Sequence, residues 1–255
     1  MLSFIGIGLY GYDMSIEALE EAKKCDVLYA EFYTSKISLD IKEIEKMIGK
    51  EIVVLDRKEV EQGNRIIEDA KKMHVGFITA GDPMAATTHV ELRLRAIENG
   101  IETKLIHGIS IITAAASLLG LQIYKFGKVV SLPRPYKDYF PLSPYDSIKD
   151  NVLLGLHTLI LLDIDDEPMK ANEAMELLLE MEKKRKEGVM NKNTIVAVIS
   201  ISHEKKFARA GYIKDMIKED FGEHLQSIVI PGKLHFVEAE ALVKIANAPE
   251  EILKI

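Results

Sequence analysis

The sequence predicts an α/β protein with two domains, and three observations support this fold class. Its 255 residues are enough for two hydrophobic cores of ordinary size. In the first half, apolar strands alternate with segments of helical periodicity, which is typical of a parallel sheet covered by helices on both faces. Glycine-containing turns follow three of these strands, near residues 8, 81 and 108. Because open α/β sheets bind ligands at the carboxyl ends of their strands, these turns predict a ligand crevice.

The first half contains five predicted strands separated by helices. Short apolar runs predict strands at 3–7, 26–33, 51–55, 75–78 and 103–106. Ser15 is positioned to cap the first helix, and Gly49 is positioned to end the second. Thr88 and Glu91 have the spacing of a capping box, which predicts the start of the helix after the turn at Gly81. A plain connection between strand and helix is the alternative to a ligand site at this turn and at the one after the fifth strand.

The second half predicts further strands and helices and one unusual loop. Strands are predicted at 157–164, 194–201, 207–212 and 227–230, with helices over 171–186 and 236–246. Four prolines and four aromatic residues occur together between 133 and 145, which predicts a semi-rigid loop. We interpret it as a lid or partner-contact loop, and a connector packed on the surface is the alternative.

Composition and charge exclude several classes of protein. The net charge of −7 argues against nonspecific nucleic-acid binding, which requires a concentration of basic residues. Cys25 is the only cysteine, so no intrachain disulfide can form and a cytoplasmic location is expected. No Asp, Glu, Lys or Arg occurs between Lys104 and Lys125, a stretch long enough to cross a bilayer. Its glycines, hydroxyl side chains and histidine favour a strand end, a turn and a buried helix, so no membrane segment is expected.

The sequence contains no recognisable nucleophile or metal motif. Its seven histidines never have the i, i+4 spacing of a helical zinc site, so no metal is expected. A G-x-S-x-G elbow is absent, and residues 231–234 lack the flanking residues of a phosphate-binding loop. Such a chain suits an enzyme whose cofactor brings its own reactivity.

The segment from Gly6 to Gly11 has the G-x-G-x-x-G spacing of a dinucleotide-binding loop. In that fold the third glycine lies in the first turn of the next helix, whereas here the helix is predicted to begin after Ser15. Asp26 and Glu31 nevertheless lie about where a ribose-binding acid is expected. A nicotinamide- or flavin-dependent oxidoreductase therefore stays open as an alternative.

Ten short segments match the pattern of one enzyme superfamily, in the same order along essentially the whole chain. They are 4–10, 25–26, 30–35, 81–83, 86–89, 123–128, 155–158, 171–178, 209–212 and 231–235. On these segments the sequence resembles the tetrapyrrole methylase superfamily of S-adenosylmethionine-dependent methyltransferases, and within it the diphthine synthases. Leu9 and Tyr10 stand where the tetrapyrrole enzymes have Pro-Gly-Asp, which disfavours a tetrapyrrole substrate.

The resemblance implies a fold and a function. The fold has two α/β domains of the tetrapyrrole methylase type, residues 1–112 with a mainly parallel sheet and residues 113–255 with a mixed sheet, and an active-site cleft between them. The implied cofactor is S-adenosyl-L-methionine, converted to S-adenosyl-L-homocysteine, and the implied assembly is a homodimer. The implied reaction belongs to diphthamide biosynthesis. It is successive N-methylation, up to the trimethylated product, of the 3-carboxy-3-aminopropyl group on the modified histidine of translation elongation factor 2.

The same resemblance implies eight cofactor contacts. Carried over position by position, they are Leu9, Asp82, Ala85, Ser110, Ile111, Leu162, Ser202 and Gln226. Asp82 is a hypothetical partner for the cationic part of the cofactor, and an Asx residue that only stabilises its turn is the alternative. No catalytic base is predicted, because orientation of the reacting groups can contribute about 7 to 11 kcal/mol. Superfamily methyltransferases that act on a tetrapyrrole or an RNA, and a non-enzymatic ligand-sensing module, remain as alternatives.

Overall fold

The computed structural model describes residues 1–164 and 167–254, and this part of the chain forms two compact units. Unit 1 consists of Met1–Ile111 together with Ser202–Glu204, and unit 2 holds the other described residues. Each unit is built around a five-stranded sheet with helices, so the predicted α/β class is confirmed.

Unit 1 contains a parallel sheet with the strand order β3-β2-β4-β1-β5. Its elements are β1 (Leu2–Gly6), α1 (Ile16–Lys24), β2 (Val27–Glu31), α2 (Ile41–Ile48), β3 (Ile52–Val54), α3 (Arg57–Glu61), α4 (Arg65–Ala70), β4 (Val75–Thr79), α5 (His89–Glu98) and β5 (Thr103–Ile106). Every strand pairing in this sheet is parallel, as predicted. The carboxyl ends of β4, β1 and β5 therefore lie side by side at one edge of the sheet.

Both faces of this sheet are buried. Phe4 of β1 packs in one hydrophobic cluster with Phe77 of β4, whereas the neighbouring residues Ile5 and Ile78 pack in a second cluster. All four side chains have 0% exposure. Since successive side chains of a strand point to opposite faces, a sheet covered on both sides requires the uninterrupted apolar runs that the sequence contains.

Unit 2 contains a mixed sheet with the strand order β6-β7-β10-β8-β9. From Ile111 onward the elements are α6 (Ile111–Leu119), a 3₁₀ turn (Ile123–Lys125), β6 (Val130–Leu132), α7 (Ser143–Leu153), β7 (Thr158–Leu162), α8 (Ala171–Arg185), β8 (Ile195–Ser200), β9 (Phe207–Tyr212), α9 (Ile213–Met216), β10 (Ser227–Ile230), α10 (Phe236–Ala246) and a second 3₁₀ turn (Glu250–Lys254). β6 and β7 pair in parallel, and the other pairs are antiparallel. The mixed sheet implied by the resemblance is confirmed.

A buried hydrogen-bonded cluster in unit 2 joins His157, the residue before β7, to α10. His157 Nε2 lies 3.0 Å from Glu238 Oε1, and its Nδ1 accepts the N–H of Gly232 at 2.9 Å. The Glu238 carboxylate also pairs with Lys125 Nζ and accepts the N–H of Gln122. Burial alone would raise the pKa of Glu238, but the Lys125 ammonium and the other donors outweigh it and lower that pKa to about 2. Burial lowers the pKa of His157, so the cluster combines a neutral imidazole with an ionised carboxylate.

The predicted start of α5 at Thr88 is confirmed, but the capping box predicted there does not form. Thr88 precedes α5, but its side chain makes no capping hydrogen bond, and its hydroxyl donates to Glu61 Oε1 at 3.1 Å. A capping box forms instead between Asp56 and Glu59 at the start of α3, a helix absent from the predictions. The Asp-x-x-Glu spacing is the signal that identifies this helix in the sequence. β6 and α7, which flank the proline-rich loop, were also not predicted.

The uncharged stretch after Lys104 forms the end of β5, a bend and α6, as predicted. Within the described residues, none of the helices has both the length and the apolar character needed to span a bilayer. Cys25 is buried, and this burial raises the pKa of its thiol to about 12. The thiol is therefore protonated at neutral pH, which agrees with a core cysteine and not with a nucleophile.

Candidate cofactor site

The carboxyl ends of β1, β4 and β5 pack against one another through glycine backbone. Gly8 and Gly81 are hydrogen-bonded in both directions, with N···O distances of 3.3 and 2.6 Å. A Cβ atom on Gly108 would lie 2.1 Å from the Gly81 carbonyl oxygen and 2.9 Å from the Gly6 carbonyl carbon. The backbones approach too closely for a side chain to fit between them. The three glycine-containing turns predicted at the strand ends therefore meet in space.

The first bend is closed by Asp13, a residue absent from the predicted site. Its carboxylate accepts the N–H groups of Leu9 at 3.0 Å, Tyr10 at 2.9 Å and Gly11 at 3.0 Å. In a nucleotide-binding loop such N–H groups bind phosphate. Here a carboxylate of the chain itself occupies them, so the bend repels an anionic ligand.

The two acids considered for a ribose contact both accept hydrogen bonds from the backbone of the chain itself. Asp26 Oδ2 accepts the N–H of His74 at 2.7 Å. Glu31 is fully buried and accepts the N–H groups of Tyr33 at 3.0 Å and Thr34 at 2.9 Å. The N–H groups that would bind a phosphate and the carboxylates that would bind a ribose are all hydrogen-bonded within the chain. The geometry therefore argues against the oxidoreductase alternative.

The second bend is organised by Asp82. Its Oδ1 accepts the N–H of Met84 at 2.9 Å, and its backbone carbonyl accepts the N–H of Ala85 at 3.2 Å. The Asx turn considered as an alternative role for Asp82 is therefore present. Its Oδ2 lies 2.7 Å from Nδ1 of His107, the residue that begins the third bend. Asp82 thus stabilises its own turn and also ties the second bend to the third.

A buried histidine supports the second bend from the start of α5. His89 Nδ1 lies 3.1 Å from the carbonyl oxygen of Pro83, and its Nε2 lies 3.4 Å from Glu31 Oε1. Burial lowers the pKa of His89, and the Glu31 carboxylate opposes that shift. His89 was absent from the predicted site, although it lies in one of the matching segments. Its position links the Asp82 turn to the end of β2.

The eight predicted cofactor residues are divided between the two units. Six lie in unit 1, namely Leu9, Asp82, Ala85, Ser110, Ile111 and Ser202. The first five of these are brought together on or directly after the three bends, and Ser202 accepts the N–H of Ser38 at 3.3 Å through its carbonyl oxygen. The other two, Leu162 at the end of β7 and Gln226 just before β10, lie in unit 2.

The side chain of Gln226 is engaged inside unit 2. Its Oε1 accepts the N–H of Ala171 at 2.8 Å, and its Nε2 donates to the Gly222 carbonyl at 2.9 Å. Ala171 is the first residue of α8, so Gln226 satisfies an N–H group that a helix terminus leaves without a partner. This role is structural, and the cofactor contact of Gln226 stays a prediction.

Comparison with known proteins connects this geometry to a family. The family model described as Tetrapyrrole (Corrin/Porphyrin) Methylases matches residues 1–205. The chain belongs to the tetrapyrrole methylase family. As a tetrapyrrole methylase it is an enzyme, an S-adenosylmethionine-dependent methyltransferase, as the resemblance implied.

This tetrapyrrole methylase is similar to diphthine synthases over its full length. It is 49% identical to diphthine synthase from Methanosarcina mazei, over 100% of this chain and 99% of that relative. It is 47% identical to diphthine synthase from Methanocaldococcus jannaschii, over 95% of this chain and 97% of the relative. A solved structure described as the crystal structure of diphthine synthase matches it with a TM-score of 0.91 and 35% identity, over 99% of this chain and 98% of that one.

The bends of this tetrapyrrole methylase fit the cofactor that its family uses. S-adenosylmethionine carries a sulfonium and an ammonium group, and both cations are stabilised by carboxylates and carbonyl oxygens. Asp13 and Asp82 place carboxylates at the first and second bends. Glycine backbone without side chains also lets a ligand approach closely. The residues present therefore suit a cationic cofactor and disfavour a phosphate-rich one.

Proposed function

We propose that this methyltransferase acts on translation elongation factor 2. It adds methyl groups successively to the amino nitrogen of the 3-carboxy-3-aminopropyl group on the modified histidine, up to the trimethylated product, as a step of diphthamide biosynthesis. The observation that carries the proposal is the full-length similarity to proteins named diphthine synthase. The substitution of Leu9 and Tyr10 for the Pro-Gly-Asp of tetrapyrrole-modifying members supports a protein substrate over a tetrapyrrole.

The cofactor is proposed to lie against the three bends of the amino-terminal domain, residues 1–112, with the site completed by residues 113–255. When bound, it supplies a methyl group made electrophilic by the sulfonium. The contacts proposed in the first domain are Leu9, Asp82, Ala85, Ser110 and Ile111. The contacts proposed from the rest of the chain are Leu162, Ser202 and Gln226.

The contribution of the chain to the reaction is orientation. The bends are held rigid by the paired bonds between Gly8 and Gly81 and by the contact of Asp82 with His107. A preorganised site of this kind aligns the amine nitrogen with the methyl carbon and the sulfur, an effect that contributes about 7 to 11 kcal/mol in well-oriented reactions. The carboxylate of Asp82 also favours a cofactor cation over a neutral competitor.

The proline-rich loop is proposed to contact the protein substrate. Tyr136 and Tyr139 are hydrogen-bonded in both directions through their backbones, at 3.1 and 3.0 Å, and so form a tight turn. Their side chains are 66% and 63% exposed. Two exposed tyrosines on a rigid turn offer a contact surface at a small entropic cost, as is common at protein interfaces.

The enzyme is proposed to form a homodimer through an apolar patch on unit 2. The patch consists of Tyr124, Leu153, Leu154 and Phe236, each between 74% and 76% exposed. Hydrogen bonds of Lys233 to the adjoining segments tie the patch together, with its N–H donating to the Gly155 carbonyl at 3.0 Å. Large apolar side chains exposed together are typical of interfaces. A homodimeric enzyme acting on an elongation factor is proposed to work in the cytoplasm.

Methyl transfer to the elongation factor tests the proposed function. Purified enzyme is mixed with methyl-labelled S-adenosylmethionine and elongation factor 2 that carries the unmethylated side arm. We expect label on the elongation factor, with mass increments of one methyl group at a time on the modified histidine. The matched control is elongation factor 2 with an unmodified histidine, which should accept no label.

The alternatives give different results in the same reaction. Label in a tetrapyrrole or RNA fraction, with none on the elongation factor, would contradict the proposed substrate. Calorimetric titration separates the cofactor classes, because S-adenosylhomocysteine should bind and NAD should not. Cofactor binding without transfer to any of these substrates would mean that the substrate of this methyltransferase lies outside the three classes tested.

A further inference from the structure

His107 is an exposed histidine that a nearly buried carboxylate holds in place. It lies between the end of β5 and Gly108, at the point where the three bends meet. Its Nδ1 is 2.7 Å from Asp82 Oδ2. The side chain of His107 is 74% exposed, whereas that of Asp82 is 12% exposed. One edge of the imidazole is thus fixed against the protein, and the other edge faces outward beside the candidate cofactor site.

The hydrogen bonds of Asp82 define the tautomer of this imidazole. An ionised carboxylate only accepts hydrogen bonds, and Oδ1 already accepts the N–H of Met84. Oδ2 therefore accepts Nδ1–H from His107. The lone pair of the neutral ring is then on Nε2, at the exposed edge. A histidine whose Nδ1–H is held by an aspartate and whose Nε2 is open has the geometry of a general base.

The proposed reaction creates a need for such a base. An amino group that is protonated at neutral pH has no lone pair with which to attack a methyl carbon. Methyl transfer to a primary or secondary amine gives a new ammonium, which must lose one of its protons before the next transfer. Two other titratable side chains near the bends, Asp13 and His89, are engaged in hydrogen bonds of their own. Asp13 accepts three backbone N–H groups, and His89 is 1% exposed with Nδ1 against a carbonyl oxygen.

We propose that His107 is the general base of the methyl transfer and that Asp82 positions it; this inference rests on the proposed function. Nε2 takes a proton from the substrate ammonium, whose nitrogen then carries a lone pair. A nitrogen–carbon bond forms to the methyl group while the carbon–sulfur bond breaks, and its electron pair stays on sulfur. The imidazolium is stabilised by the Asp82 carboxylate and returns its proton to water before the next transfer. The third transfer gives a quaternary nitrogen with no proton left to remove.

The test compares single-turnover methyl transfer to elongation factor 2 at saturating cofactor in wild type, H107A and H107Q. Gln keeps a donor for Asp82 but cannot accept a proton. We expect the transfer rate to fall by about 100-fold or more in both variants, as is typical when a general base is lost. The dissociation constant for S-adenosylhomocysteine should stay within about threefold of wild type, because the proposed role is in proton transfer and not in cofactor binding. Imidazole added to the buffer should restore part of the rate of H107A.

Each result of this test decides a different point. An undiminished rate in H107Q, or a rate of H107A that imidazole does not raise, overturns the base role. A parallel loss of S-adenosylhomocysteine binding in both variants also overturns it, since His107 would then only shape the site. If wild type itself transfers no label to the elongation factor, the proposed function fails and the base role fails with it. D82N, which removes the carboxylate but keeps the turn, should slow transfer in the same direction and is expected to add little in combination with H107Q.

Discussion

Gly108→Ala is expected to disrupt the meeting point of the three bends. The added Cβ would lie 2.1 Å from the Gly81 carbonyl oxygen, against about 3.3 Å for a close carbon–oxygen contact, so the bends must separate by roughly 1 Å. That separation weakens or breaks the two bonds between Gly8 and Gly81, each contributing about 0.5 to 1.5 kcal/mol, and adds about 1 to 3 kcal/mol of overpacking. We therefore expect the free energy of unfolding to fall by about 2 to 6 kcal/mol.

Gly49 provides a control glycine at which an added Cβ collides with nothing. Gly49 has a φ of +80° at the end of α2, and no atom lies within 4 Å of a Cβ added there. Gly49→Ala should cost only about 1 to 2 kcal/mol, the penalty of the left-handed conformation. Because Gly49 lies away from the bends, its replacement should leave cofactor binding unchanged.

Two measurements check the prediction for Gly108. Denaturant unfolding gives the change in the free energy of unfolding, and calorimetric titration gives the dissociation constant for S-adenosylhomocysteine. We expect Gly108→Ala to raise the dissociation constant by at least about tenfold, which corresponds to a loss of about 1.4 kcal/mol of binding free energy. If Gly108→Ala matched Gly49→Ala in both stability and affinity, the close packing of the bends would not be what forms the site.

Three further predictions concern other parts of the molecule. The pKa of Glu238 is lowered to about 2 from 4.5, so its stabilising effect is present above pH 4.5 and is lost as the pH falls towards 2. Over that interval the free energy of unfolding should fall by up to about 3 kcal/mol in wild type and by much less in Glu238→Gln. Denaturant unfolding at several pH values measures this change. An equal pH dependence in the two proteins would contradict the prediction. Replacing Tyr136 and Tyr139 together by Ala should slow transfer to elongation factor 2 while S-adenosylhomocysteine binding is kept, and loss of both would count against a substrate-contact role for the loop. Leu154→Glu should convert the proposed dimer to a monomer in light scattering. Leu94→Glu on the exposed face of α5 is the control, and dissociation by the control alone would contradict the proposed interface on unit 2.

Most of the secondary structure was determined by the sequence itself. Ser15 caps α1 by accepting the N–H of Ala18 at 3.0 Å, Gly49 ends α2 in a left-handed conformation, and α10 spans the predicted residues 236–246. The same holds for the parallel sheet, because its uninterrupted apolar strands require burial on both faces. These features depend on periodicity and on partners three or four residues away, so the information is local. The resemblance to a family, carried by short ordered motifs, added the cofactor and the reaction class.

The site was decided by contacts between residues far apart in the chain. Gly81 and Gly108 look like ordinary turn glycines until the strand order β4-β1-β5 places their bends against each other. Asp82 can stabilise its own turn in any context, but its second oxygen meets His107 only in the folded sheet. Thr88 shows that a distant contact can also replace a local one. Local spacing predicted that its hydroxyl would cap α5, but in the fold this hydroxyl donates to a carboxylate of α3. A polar group bonds to whichever partner the fold brings within reach, and sequence spacing specifies only the nearby candidates.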